Sequence, residues 1–232
     1  MWATLKFALF TILLILCALL LNGIGYHFDA RTASVPVAPT VLIDPGHGGE
    51  DGGAVGINGC VEKNINLEIS LILRDLLQMS GIDAVMTRSE DIMLYDSAAP
   101  GKKKAQDLKN RVMMAEELNA ALTVSIHMNT YPSEKCSGAQ VYYSPNTEES
   151  KTLAEGIRSS FINNLQPQNQ RQTKEATSAI YLLHNIKTPA VLVECGFISN
   201  REEAQLLCDS SYQHKVALAI YSSIIEHLNK EV

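Results

Sequence analysis

Val41-Leu42-Ile43-Asp44-Pro45-Gly46-His47-Gly48-Gly49 runs from three apolar residues into a Gly-rich turn that carries a histidine. The arrangement returns in Val124-Ser125-Ile126-His127-Met128-Asn129 and in Ala190-Val191-Leu192-Val193-Glu194-Cys195-Gly196. Short apolar runs bounded by turn signals read as buried strands. Three strands far apart in sequence therefore each deliver one metal-competent or proton-transferring side chain just past their ends. In open α/β sheets that end is where ligands bind. Core filling is a poor explanation for three polar groups placed alike, and they define a candidate site.

The segments between them alternate. Ile65, Ile69, Ile72, Leu73, Leu76 and Leu77 keep helical spacing, with Asn64 as the expected N-cap and Gly81 as the stop. Ile82 to Thr87 reads as a strand and residues 89–103 as a long loop. Leu108, Val112, Ala115 and Leu118 mark a second helix, followed by the strand Leu122 to Ile126. Ala139 to Tyr143 is another strand, and Leu153, Ile157, Phe161 and Leu165 recur every four residues, as on a helix. Residues 166–178 read as a surface loop beside the site, Ile180 to Leu183 and Ala190 to Val193 as strands, and Asn200 to Leu207 and Tyr212 to Leu228 as closing helices. Strands alternating with helices predict a single α/β domain with a largely parallel sheet.

The chain has 232 residues, 46% hydrophobic and 19% charged, with a formal charge of −6. That length suits one domain plus extra segments, and the mild acidity excludes the basic footprint of a nucleic-acid binder. Lys102-Lys103-Lys104 is the tight basic cluster and reads as a solvated loop, with contact to an anionic polymer as the alternative. Ala8 to Leu21 is an uncharged run broken only by Thr11, preceded by Lys6. It is long for a signal-peptide core and short of the ~20 apolar residues that span a bilayer, unless Phe7 and the residues to Tyr26 extend it. Without a small-x-small cleavage site after it, an uncleaved membrane anchor is favoured over a cleaved signal peptide, and either exports the remainder. The division is thus a signal peptide or anchor over 1–24, a linker over 25–39 and a catalytic domain over 40–230. Cys60, Cys136, Cys195 and Cys208 permit disulfides without demanding them.

Catalytic zinc takes three protein ligands from His and carboxylate and leaves one position for water. His47 and His127 supply imidazoles, while Glu50, Asp51 and Glu62 are the carboxylate candidates. Glu62 is favoured because it sits at an element boundary, although a Glu before a helix also complements its dipole. Glu194 takes the role of general base and acid; a surface salt bridge is the plain alternative. His184 follows an expected strand and rivals the other ligands, whereas His27, His214 and His227 read as solvated. Asp44 is a candidate to orient a ligating imidazole, with an ordinary Asp-Pro turn as the alternative. Ser125 is read as alternating away from His127, which disfavours a serine hydrolase, and Cys195 as a core residue facing away from Glu194.

Taken in order, Asp44-Pro45-Gly46-His47-Gly48-Gly49, Glu62-Lys63, Ser125-Ile126-His127-x-Asn129 and the segment from Pro189 to Asn200 resemble the zinc-dependent N-acetylmuramoyl-L-alanine amidases of the amidase-3 family, over about residues 41–228. The resemblance implies a twisted, mainly parallel sheet wrapped by helices, zinc on His47, Glu62 and His127, and Glu194 as catalytic acid/base. It also implies cleavage of the amide between the lactyl group of N-acetylmuramic acid and the first L-alanine of the peptidoglycan stem. The N-terminal segment and the stretch Lys104-x-x-Asp107-Leu108-x-x-Arg111-Val112 are similar to the sporulation and germination members. Those prepare muramic-δ-lactam in spore cortex, followed by a deacetylase, on the extracytoplasmic side. Met128, Thr130 and Glu116-Glu117 depart from the family pattern without touching an expected ligand. No autoinhibitory helix insertion is evident between Gly138 and Ile180, so control would come from localisation, metal occupancy or a protein activator. Two other readings stay open: a zinc peptidase acting on stem peptides, and a silent wall-binding or activator module.

Overall fold

The computed structural model describes residues 38–95 and 102–230, together with residues 2, 6 and 11–16. The chain divides into two units, Met1–Val37 and Ala38–Val232. In the first, residues 11–16 are helical, with Ile12 to Leu16 exposed. Among the described residues no helix is long and apolar enough to cross a membrane. The expected anchor over Ala8 to Leu21 falls mostly, and residues 25–37 of the expected linker wholly, outside the described residues.

The second unit alternates strand and helix: β1 (Thr40–Pro45), α1 (Glu62–Met79), β2 (Asp83–Met86), α2 (Lys103–Glu117), β3 (Leu122–Asn129), β4 (Gln140–Tyr143), α3 (Glu148–Asn164), β5 (Lys174–Glu175), α4 (Tyr181–Asn185), β6 (Ala190–Phe197), α5 (Arg201–Leu207) and α6 (Ser210–Lys230). The sheet order is β2-β1-β3-β6-β4-β5, with β1, β2, β3 and β6 mutually parallel and β4 antiparallel to β6. From β1 the chain steps outward to β2 and then crosses back to β3 on the other side. The reversal leaves a crevice at the C-terminal ends of β1 and β3.

Both faces of the central strands are covered, which is why they read as continuous apolar runs. Val41, Ile43, Val124 and Ile126 pack against Ile65, Ile69 and Leu73 of α1 and against α3 and α6. Leu42, Ala190 and Leu192 face Ala115 of α2, Leu183 of α4 and Ile186 just after it. Cys195 is fully buried, as expected of a core residue.

Several local expectations are corrected. The first helix starts at Glu62, two residues before the expected cap Asn64, and Val61 at the N-cap position contributes no side-chain bond. The Gly-rich turn supplies acceptors instead: Glu62 N–H donates to the Ala54 carbonyl at 2.9 Å and Lys63 N–H to that of Gly52 at 3.2 Å. Ile180 to Leu183 is not a strand but leads into helix α4. Leu182, Leu183 and Ile186, all buried, have the i, i+1, i+4 spacing of one helical face, and a run this short fits either period. Asn200 lies outside its helix as the cap, accepting from the N–H groups of Glu202 and Glu203 at 3.0 Å. A two-stranded β pairing, Tyr142 and Tyr143 with Lys174 and Glu175, falls in the expected 166–178 loop. His227, expected in solvent, is buried in α6, whereas His214 is exposed. A disulfide joins Cys60, just before α1, to Cys208 at the end of α5.

Candidate metal centre

Three of the residues singled out in the sequence meet in the crevice. His47 Nε2 lies 3.2 Å and His127 Nδ1 3.1 Å from the same Glu62 oxygen, Oε1. The three possible ligand atoms all fall within 4.8 Å of one another. The two imidazoles stand edge to face with centroids 5.0 Å apart. Glu50 pairs with Lys103 and Asp51 sits behind His47, so Glu62 is the carboxylate that joins both rings.

The backbone is shaped for this convergence. A Cβ at Gly46 would come within 2.2 Å of the His127 ring, and one at Gly53 within 2.6 Å of Glu62 Oε2, so each ring and carboxylate occupies space that only glycine leaves open. Gly53 also has φ +67°. His47 itself has φ 61°, a left-handed conformation uncommon outside glycine, which throws its side chain back toward β3. It is held there from both ends. Its Nδ1 lies 3.0 Å from Asp51 Oδ2, and its carbonyl accepts from Arg111 Nη2 at 2.8 Å.

Beneath the turn lies a buried polar network that sequence reading did not find. Arg111 of α2 donates to Asp44 Oδ1 at 2.5 Å, to the Pro45 carbonyl at 2.9 Å and to Asp107 at 2.9 Å. Arg88 grips the carbonyls of Pro45 and Gly46 at 3.0 and 2.9 Å. Asp44 also accepts from Thr87 and Ser125 at 2.7 and 2.6 Å, which engages it away from the imidazoles; the carboxylate that contacts a candidate ligand, His47, is Asp51. Burial works against the Asp44 charge, but Arg111 and the two hydroxyls outweigh it and leave its carboxyl below the ordinary range. Ser125 is two residues from His127 and therefore shares its face of β3, contrary to the expected alternation. Its hydroxyl serves Asp44, so no Ser–His pair forms.

Glu194 stands in register with His127 on the neighbouring strand. Its Oε2 is buried and has no hydrogen-bond partner among the described residues. Burial, with a contribution from Glu62 and opposition from the two histidines, raises its carboxyl to about 7. Glu62 runs the other way. Burial would raise it, yet the His127 and His47 bonds hold it far below the carboxylate range, so this candidate ligand is charged. The expected rival His184 is exposed on α4 and lies outside the cluster. Lys103 and Lys104, expected in a solvated loop, open α2 and reach back to Glu50 at 2.6 Å and Asp51 at 2.9 Å.

An orphaned carboxylate beside a two-histidine, one-carboxylate cluster is the layout of a metal-assisted hydrolase. The chain belongs to the Amidase_3 family, whose model, described as N-acetylmuramoyl-L-alanine amidase, matches residues 41–226, and it is a hydrolase of that kind. It is 39% identical over 201 residues to the germination-specific N-acetylmuramoyl-L-alanine amidase of Bacillus subtilis strain 168, covering 85% of this chain and 84% of that protein. Among solved structures it is similar to the CwlD amidase of Clostridioides difficile, determined in complex with the GerS lipoprotein. The TM-score is 0.79 and the identity 39%, covering 82% of this chain and 98% of that one. AmiC2, an N-acetylmuramoyl-L-alanine amidase of Nostoc punctiforme, matches with a TM-score of 0.72 and 33% identity, over 82% of this chain and 97% of that one.

Proposed function

We propose that the protein is a zinc-dependent amidase that frees intact stem peptides from peptidoglycan, with His47, Glu62 and His127 as the metal ligands and Glu194 as the acid/base. The observation that carries this reading is the approach of two histidine nitrogens to one Glu62 oxygen, with an unpartnered Glu194 oxygen on the adjacent strand. The donor set fits zinc: two imidazoles and one carboxylate, of which Glu62 and His47 are each held by a further contact. Glu62 Oε2 accepts from Ala54 N–H at 2.8 Å, which fixes the carboxylate, while Asp51 on His47 Nδ1 fixes the tautomer that leaves Nε2 free to ligate.

When bound there, zinc supplies Lewis acidity toward the amide carbonyl and toward the attacking water. The remaining work belongs to the chain. Water adds to the lactyl carbonyl of the muramic acid and the bond to the alanine nitrogen breaks, giving a carboxylic acid and an amine. Glu194 accepts the proton that the water gives up and returns it to the departing nitrogen. A carboxyl lifted toward neutrality by burial is suited to both halves of that transfer. Arg111 and Arg88 keep the His47 turn in its strained form, so the ligand is in place before substrate arrives.

The placement is extracytoplasmic, at the wall, with residues 1–24 as anchor or signal peptide, 25–39 as linker and 40–230 as the catalytic domain. The substrate layer is spore cortex, where removal of the peptide precedes a deacetylase and formation of muramic-δ-lactam. Similarity to a germination-specific amidase supports this, and similarity to an amidase solved with a lipoprotein supports a protein partner. Muropeptide profiling of spores lacking the protein tests it. Loss of muramic-δ-lactam is expected, and an unchanged cortex profile would contradict the cortex assignment.

A further inference from the structure

Two recesses open on the proposed metal centre. One is a partly enclosed hollow of about 240 Å³ walled by Leu108, Ile180, Leu182 and Leu192; the other is an open groove of about 450 Å³ running past Ala54, Asn129 and Thr130. His47, Asp51, His127, Glu194 and Lys104 border both. Carboxylates crowd these walls. Asp51, Glu62 and Glu194 line the groove, and Asp44 and Asp107 add to the hollow. Arg111 offsets Asp44 and Asp107, and zinc would offset Glu62, but a substrate carboxylate entering beside Asp51 and Glu194 still needs a cation of its own to fix it.

The hollow has two cations, and they differ. Arg111 is buried, and its donors are committed to Asp44, Asp107 and the carbonyls of Pro45 and His47. Lys104 is 63% exposed, and its ammonium rests on Asp51 Oδ2 at 2.9 Å. An exposed pair of this kind contributes little and exchanges readily. The same Asp51 oxygen holds His47 Nδ1 at 3.0 Å, so the ammonium stands two hydrogen bonds from a proposed zinc ligand.

We infer that Lys104 is a specificity-determining residue, turning from Asp51 to bind the free carboxylate of the acidic second residue of the stem peptide. The inference rests on the amidase reading above. In the stem, the residue after the alanine is an acid joined through its side chain, which leaves its α-carboxylate free; in amidated walls that group is a neutral carboxamide. Its Cα follows the alanine Cα by a few ångströms, about 3.8 Å across an ordinary peptide. A ligand this near the cut bond falls within the reach of an ammonium two contacts from the centre.

The test uses the full zinc-loaded protein and two muramoyl peptides that differ only in a carboxylate or a carboxamide at that second residue. For Lys104→Met, kcat/KM on the carboxylate substrate is expected to fall about tenfold, mainly through KM, with under about twofold loss on the carboxamide. Zinc content should stay unchanged, and Lys103→Met, which touches Glu50, should leave the ratio of the two substrates as in the unaltered protein. Equal losses on both substrates would overturn the inference, since they would mean that Lys104 acts through Asp51 and His47; no loss on either would overturn it as well. If the unaltered protein released peptide from neither substrate, the amidase reading itself would fall, and this inference with it.

Discussion

Replacing Glu194 by glutamine keeps the shape of the side chain and removes its capacity to carry a proton. Since Glu194 is not among the three converging ligand atoms, Glu194→Gln should lower kcat by about 10²–10⁴-fold while metal analysis still finds one zinc per chain. Retained turnover would remove the acid/base assignment. Asp51 offers the complementary case, because it touches His47 but not the centre. Asp51→Ala should weaken zinc binding about 10–100-fold, as removal of a ligand-orienting carboxylate does, read by competition with a chelator. His47, His127 and Glu194 were legible because each follows a strand-like run. Asp51 was legible only as one of several acids in a Gly-rich stretch, since the φ 61° that turns His47 back on it is a backbone property that no residue pattern announces.

At the scale of elements, Arg111 ties α2 to the end of β1 through a pair in which both side chains are about 3% exposed. Breaking such a pair leaves an uncompensated buried charge, so Arg111→Met should cost about 3–5 kcal/mol in chemical denaturation. A cost under about 1 kcal/mol would mean that the network is not structural. The acid limb of stability follows from the same carboxylates. In the metal-free protein Asp44 lies below its ordinary 3.8, and Asp51 lies at about 2, where the Lys104 and His47 contacts overcome the opposing effect of burial. Groups depressed by folding stabilise above their unfolded values and lose that contribution as pH falls through their folded ones. Denaturation midpoints should therefore drop below about pH 4. Glu194 has the opposite sign: raised to about 7, it stabilises below its unfolded value near 4.5 and loses that contribution as pH rises through 7. Midpoints that do not change from pH 5 to pH 2 would contradict the depressed carboxyls. The long helices were legible because their apolar spacing persists over several turns. The one-turn α4 was not, since Ile180 to Leu183 has too few residues to separate a period of two from one of 3.6.

Across the whole molecule, the Cys60–Cys208 disulfide closes a separation of 148 residues and fastens the turn that precedes Glu62 to the α5–α6 junction. Paired Ser substitutions should lower stability by about 2–5 kcal/mol, measured by denaturant titration without reductant; an unchanged midpoint would show that the bond adds nothing. The four cysteines of the folded domain allow several pairings, and only the folding of α5 against the Gly-rich turn, where Asn58 also reaches the Ala204 carbonyl at 2.9 Å, selects this one. The α/β class and the parallel core were readable from alternating elements, because strands covered on both faces must be continuously apolar. The reversal between β1 and β3 that brings His47, Glu62 and His127 to one crevice is a property of the path, and emerges only in three dimensions. Mass spectrometry of purified peptidoglycan digested by the zinc-loaded protein reads which bond it cuts. Intact stem peptides beginning with a free L-alanine are expected, separated from glycan whose muramic acid keeps its lactyl carboxylate. Peptides shortened within the stem, still attached to muramic acid, would contradict it.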